Sequence, residues 1–268
     1  MKSIYIVLFL FLVSCSPIKV KDFNYDYTQE IVGKIKSIDI KKYEYKFIKK
    51  DTVNLVKKTI LNFDVNKNLK NEKFFTETEK KEISYKYVNG LIIQKEVISD
   101  NDTTIIDYKY DEANNLIEEK SSDKNGLYNI TTQAFDKYHN PIEINKNFAN
   151  KIKQTIQIEY NYKKNYFISK SFIDTLSYTK LESKKYFDKK GYIIKIHDIK
   201  SKTNANYFTF EIDKKGNLNT KKYYKSDGTI IETVAFKNDY DNRGNIIIRE
   251  RFLNNKLVDK TIYEITYY

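Results

Sequence analysis

The side chains best placed to do chemistry are acids at a recurring spacing. Asp64, Asp111, Asp136, Asp188, Asp213 and Asp241 each follow an aromatic or aliphatic residue. They stand three positions before Lys67, Asn114, His139, Gly191, Gly216 and Gly244. Calcium binding would use such acids, but that ion gathers about six to eight oxygens, usually from several carboxylates. Each copy here offers one acid, set beside cations in Asp188-Lys189-Lys190 and Asp213-Lys214-Lys215. Glycoside hydrolysis would need two converging carboxyl groups. Asp174, Glu182, Glu211 and Glu232 are strand acids open to that role, with no spacing that pairs them. Turn capping accounts for the repeated Asp better. An Asp opening a type I turn accepts a hydrogen bond from the backbone two residues on. The third residue after it then takes the left-handed conformation, which suits Gly and is tolerated by Asn and His. Lys67 is the misfit, and its turn is expected to be looser.

Other catalytic chemistry has little to work with. His139 sits in the left-handed slot of a turn, and His197 lies in a strand-like run whose neighbour Asp198 would face the other way. Cys15 is the only cysteine, so no intramolecular disulfide exists and soft metal ligands are scarce. No nucleophile elbow, H-E-x-x-H, phosphate loop or dinucleotide fingerprint occurs. The expectation is a protein that is not an enzyme and carries no metal and no cofactor.

The elements that hold these turns read as strands. Including the weaker copies Tyr87-Val88-Asn89-Gly90-Leu91 and Tyr162-Lys163-Lys164-Asn165-Tyr166, the motif recurs about every 25 residues, enough for two strands and two connections. Ile152, Gln154, Ile156, Ile158, Tyr160 and Tyr162 alternate with polar residues, the period of a strand with one face buried. The expected fold is all-β: an extended antiparallel β-meander of about eight hairpin repeats of roughly 25 residues, some sixteen to eighteen strands. Its edges would be protected by Lys-rich strands such as Lys41-Lys42-Tyr43-Glu44-Tyr45-Lys46. Tyr43, Tyr45, Tyr85, Tyr87, Tyr263 and Tyr267 form period-two aromatic stripes, a possible aromatic binding surface if they are not packed in the core.

Tyr108-Lys109-Tyr110-Asp111-Glu112-Ala113-Asn114-Asn115-Leu116 and Tyr240-Asp241-Asn242-Arg243-Gly244-Asn245-Ile246 resemble the YD repeat of RHS-type proteins. The resemblance runs through most of residues 55 to 255 and implies a sheet of β-hairpin repeats.

At the N-terminus, Met1-Lys2 precedes a compact apolar run from Ile4 to Val13, too short to span a bilayer. Leu12-Val13-Ser14-Cys15 resembles the lipobox of bacterial lipoproteins, which implies lipidation of Cys15. The expected organisation is a signal peptide over 1–14, lipidated Cys and tether over 15–30, and a single β-repeat domain over 31–268. The absence of Asp after the Cys, at Ser16, favours the outer membrane by the same resemblance, with the periplasmic face preferred because residues 17–22 are basic.

The net charge is +12, carried almost wholly by Lys, since Arg occurs only at 243, 249 and 251. Nucleic-acid readers cluster Arg for bidentate contacts, so no nucleic-acid partner is expected. The leading reading is a non-enzymatic envelope lipoprotein, attached to the membrane through its lipid. Its sheet would act as a binding or scaffolding surface for an envelope protein or anionic glycan. The alternatives are a periplasmic carrier cradling a lipid or acyl chain in a curved sheet, and a polysaccharide hydrolase.

Overall fold

The computed structural model describes residues 18–21, 32–46, 52–100, 102–149, 152–174, 181–198 and 207–268. Leu12, Val13, Ser14 and Cys15, with most of the expected tether, lie outside the described residues. All regular structure among the described residues is β: β1 (Ile35–Lys46), β2 (Thr52–Phe63), β3 (Leu69–Phe75), β4 (Lys80–Val88), β5 (Leu91–Ser99), β6 (Asp102–Tyr110), β7 (Leu116–Asp123), β8 (Gly126–Phe135) and β9 (Pro141–Phe148), followed by β10 (Ile152–Asn161), β11 (Tyr166–Ile173), β12 (Leu181–Phe187), β13 (Ile193–Asp198), β14 (Tyr207–Ile212), β15 (Leu218–Tyr224), β16 (Ile230–Tyr240), β17 (Ile246–Leu253) and β18 (Lys256–Tyr267). Each strand pairs antiparallel with the next. β1 then pairs with β18, from Ile35↔Tyr267 to Glu44↔Asp259, while also pairing with β2.

The meander is therefore not extended. It closes into an 18-stranded barrel, and the expected edges do not exist. The Lys-rich segment of β1 is the seam, flanked on both sides. Closure satisfies the backbone groups that an edge would leave open.

Six turns repeat one geometry. The Asp amide donates to the carbonyl four residues on at 2.9–3.0 Å, and the amide at the third position donates back to the Asp carbonyl at 3.0–3.1 Å. The Asp Oδ1 accepts from the amides two and four residues on, as Asp111 does from Ala113 at 2.9 Å and Asn115 at 2.8 Å. The third position has positive φ in all six, from 62° at His139 to 89° at Gly244. Lys67, at φ 70°, makes the same bonds, so its turn is no looser than the rest. The Asp64 carboxylate, accepting from Asn66 and Asn68, offsets the cost of a non-glycine residue there.

Each of these turns is followed by a register shift, such as Asn62↔Asn71 giving way to Phe63↔Leu69, and Asp239↔Ile248 to Tyr240↔Ile246. A bulge raises local twist and bends its strand. Repeated at one end of successive hairpins, it curls the sheet toward closure. All six turns follow even-numbered strands and so share one rim, where the chain also enters β1 and leaves β18.

Two apolar clusters line one face near this rim. One joins Ile35, Ile38, Ile40, Leu61, Ile246 and Tyr263; the other joins Phe167, Phe187, Ile193, Phe210 and Leu218. Residues 18–21 lie against the second, with Ile18 and Val20 packed on it and Lys21 bridging in parallel to Tyr192.

Candidate functional site

In a closed barrel, alternation assigns each strand residue to the lumen or the outside. The face carrying the two apolar clusters is the less exposed and turns inward. The opposite face carries ion pairs between neighbouring strands: Lys41–Glu264 at 2.7 Å, Lys58–Asp39 at 3.0 Å, Lys73–Glu82 at 3.2 Å, Lys170–Glu159 at 3.0 Å, Lys222–Glu211 at 2.7 Å and Lys260–Glu250 at 3.4 Å. These groups are half-exposed or exposed, and their outer wall suits water. Strands bring their Cα atoms within 8 Å of one another only where they are neighbours in the ring.

Among the described residues, a cavity opens on that inner face beside the seam. It holds about 280 Å³ and is lined by β1, β2 and β16 to β18. Four cations face it, Lys42, Lys57, Arg249 and Arg251, against one acid, Asp259. Asp259 is 4% exposed and Arg249 5%. Arg251 Nε donates to Asp259 Oδ2 at 2.5 Å, and Lys42 Nζ lies 3.5 Å from the same oxygen. Arg249 stacks over the Phe236 ring at 4.7 Å and donates to the Leu218 carbonyl at 3.3 Å. Asp259 thus pairs with two of the four cations, Arg251 and Lys42. Ile40, Phe236 and Tyr263 complete the wall, joining the cavity to the apolar cluster above it. A pocket that is apolar toward one end and cationic toward the other suits an anion carried on a hydrocarbon.

The rim is stapled by tyrosines. The hydroxyls of Tyr162 and Tyr267 donate to Asp136 and Asp241, and Tyr240 donates to Asp213 at 3.1 Å. Burial, together with the adjoining carboxylate, pushes the phenols of Tyr162, Tyr240 and Tyr267 above their ordinary value. Two of the Asn residues that close these turns have a second use. Asn140 Oδ1 accepts the Val20 amide at 2.7 Å, and its Nδ2 donates to the Ile18 carbonyl at 2.9 Å. Asn245 holds the Val32 amide and carbonyl in the same way, at 2.8 and 2.9 Å.

Residues singled out by sequence fall in different places. Asp64, Asp111, Asp136, Asp188, Asp213 and Asp241 are turn caps, as are Gly191, Gly216 and Gly244 in the left-handed slot. Tyr85, Tyr87, Tyr263 and Tyr267 line the interior, whereas Tyr43 and Tyr45 face outward by register. The six do not form one surface. Glu182 and Glu211 face outward, Glu232 inward and Asp174 stands exposed at a strand end, so no two make a catalytic pair. His139 Nδ1 donates across to the neighbouring turn at Asn115 Oδ1, 3.1 Å away, and His197 is exposed on the outer wall beside Tyr207. Among the described residues, no three His, Cys, Asp or Glu side chains gather as a metal site.

Two features escaped the sequence reading. One is the inner cation cluster, whose only sequence sign is Arg249 and Arg251 two apart on a strand. The other is an outer ladder of aromatics and lysines across β11 to β15. In it Tyr166 and Tyr186 flank Lys184, and Tyr207 stacks on Tyr224 at 4.6 Å with Lys195 over Tyr207 at 4.3 Å.

No family model matches the chain, and no curated protein matches it. Solved structures do. A porin-like protein from Bacteroides uniformis is 12% identical, with 88% of this chain and 99% of that one covered at a TM-score of 0.48. A putative outer membrane lipoprotein-sorting protein domain from Vibrio parahaemolyticus is 8% identical over 89% of this chain and 87% of that one, at a TM-score of 0.29.

Proposed function

We propose that this chain is a non-enzymatic envelope lipoprotein, anchored through Cys15, whose barrel stands in water and binds an amphipathic ligand in its interior. The ligand class is an acyl chain ending in a carboxylate or phosphate. One observation carries the reading: the faces are reversed relative to a membrane-spanning barrel. A barrel embedded in lipid turns an apolar band outward and keeps a polar interior. Here the outward face holds the ion pairs and the inward face holds the apolar clusters beside a cationic cavity. Charged wall residues at bilayer depth would each cost about 2–4 kcal/mol for Lys or Arg, so the wall argues for an aqueous setting. The interior is then the surface with ligand-binding character.

The test is titration of the chain from residue 16 onward with a fluorescent fatty acid. Binding should weaken about tenfold in Lys57→Ala and be far less sensitive to that change when the probe ends in an alcohol. A protein that neither binds such probes nor retains a lipid when purified from its own envelope would sink the proposal.

A second reading has its own observation. The outer ladder from Tyr166 to Tyr224 presents ring faces and lysines together, the composition of a surface for anionic glycans. Loss of glycan binding in Tyr207→Ala with fatty-acid binding intact would move the function to the outer wall.

A further inference from the structure

The rim that carries the Asp turns is rich in cations. The turn segments 64–68, 111–115, 136–140, 162–165, 188–192, 213–217 and 241–245, with residues 18–21 and 32–34, hold twelve Lys or Arg and seven Asp or Glu, a difference of five positive charges. The balance at the surface is steeper than that. Six of the seven acids are the capping Asp residues, whose Oδ1 atoms point into their own turns and accept backbone amides. Glu112 is the one acid of these segments that stands exposed, while Lys137, Lys189, Lys190, Lys214 and Arg243 all do.

Aliphatic side chains stand among these cations. Val65 at the tip of its turn is 63% exposed, Val88 51% and Val32 47%, and Ile93, Ile142 and Ile194 project just below, at the bulges. A ring of cations with scattered aliphatic residues is poor composition for a wall meant only to be wetted. It is the composition of surfaces that lie on lipid head groups, where the two kinds of attraction add.

The route of the chain gives an independent reason to turn this rim toward a membrane. Asn140 clamps the backbone at Ile18 and Val20 onto the rim. Cys15 precedes Ile18 by three residues, and three residues fully extended reach about 11 Å. Whatever path they take, Cys15 cannot lie farther than that from the docked segment. An acyl chain on Cys15 would therefore hold this rim, rather than a wall or the opposite end, against the bilayer.

We propose that the Asp-turn rim is a membrane-docking face that binds anionic phospholipid surfaces, so that the barrel stands upright with its apolar inner layer next to the bilayer. The orientation rests on the reading of Cys15 as the anchor. The affinity for anionic lipid does not, and it is also independent of what the barrel holds inside.

The experiment uses the chain from residue 16 onward, which keeps every described residue and lacks the acylation site. Co-sedimentation would compare vesicles of phosphatidylcholine alone with vesicles containing phosphatidylglycerol. The expected result is binding to the anionic vesicles only, lost on raising salt. Reversing Lys164, Lys189, Lys190 and Lys214 to Glu should weaken it at least tenfold. Reversing four exposed lysines at the opposite end, Lys80, Lys153, Lys225 and Lys256, changes net charge equally and should have a much smaller effect; circular dichroism checks that both variants keep the fold. Equal losses in the two variants, equal binding to neutral vesicles, or no vesicle binding would overturn the proposal. Rim-dependent binding to dextran sulfate without vesicle binding would overturn it in favour of a glycan.

Discussion

The hydroxyl of Tyr267, at the end of the last strand, donates to a carboxylate oxygen of Asp241, which caps the turn twenty-six residues earlier. It also receives Asn245 Nδ2 at 2.8 Å, and the Arg243 guanidinium lies 3.9 Å over its ring. Tyr267 is paired with Ile35 across the seam, so the bond that organises a turn also sits where the barrel closes.

Replacing Tyr267 with Phe should therefore weaken closure as well as the turn. A hydrogen bond to a charged group is worth about 1.5–3 kcal/mol, and we expect a loss in that range by urea denaturation. Tyr162→Phe, which removes the matching bond to Asp136 away from the seam, should cost stability without increasing amide exchange in β1. Faster exchange in β1 for both variants, or neither, would separate the Tyr267 bond from closure.

Stability should fall in acid through the turn caps. Side-chain and backbone bonds from Asn115 hold the Asp111 carboxyl below its ordinary 3.8, and backbone and side-chain bonds from Asn68 do the same for Asp64. At Asp241 burial pulls upward, but bonds from Tyr267, Asn245 and Arg243 outweigh it. Because these folded-state values are depressed, the unfolded chain takes up protons first. The contribution is complete above the ordinary value and disappears as pH falls through the folded one. Melting temperature should hold from about pH 6 to 5 and drop below about pH 4. Asp111→Asn should flatten part of that drop.

Gly191 tests the docked N-terminal segment. A Cβ there would lie 2.1 Å from the Lys19 carbonyl oxygen, and the residue has φ +88°. Gly228 has nearly the same φ, +87°, but its nearest neighbour would be 4.0 Å away. Gly228→Ala should show backbone strain alone, roughly 1–3 kcal/mol. Gly191→Ala should cost more and expose residues 18–21 to limited proteolysis. Equal protection of that segment in both variants would mean the contact at Lys19 does not hold it.

Asp259 and Glu211 set a buried acid against an exposed one. Asp259→Asn leaves Arg251 and Lys42 facing a neutral partner inside the barrel, and removing one side of a buried pair costs about 3–5 kcal/mol. Glu211→Gln breaks the outer pair with Lys222, worth about 0–1 kcal/mol when solvated. Similar losses in the two variants would mean the cavity is as wet as the wall.

The local chemistry of this fold was legible residue by residue. Asp at the start of each turn and Gly, Asn or His three positions on were sufficient to read five of the six turns, because the hydrogen bonds involved span four residues. Lys67 was misread for the same local reason, since the Asp64 bonds outweigh its intrinsic preference. Closure was not legible. Ile35 and Tyr267 meet because bulges accumulate curvature around the whole ring, and neither residue carries a mark of the other. The inner cations were hidden by composition: two arginines two apart on a strand look the same whether they face water or a lumen. Only closure assigns Arg249 and Arg251 to the inside. The second use of Asn140 and Asn245 was equally hidden, since Asn68 and Asn115 occupy the same turn position and hold no N-terminal backbone in the described residues.

The amide of Tyr268 donates to the Lys34 carbonyl at 3.0 Å, so the two ends of the barrel already touch. A ring joined in this way has no obligatory first strand. Linking residue 268 to residue 34 through a short peptide and opening the chain at Asn125-Gly126 would yield a circular permutant with every ladder intact, the order of synthesis changed and the architecture retained.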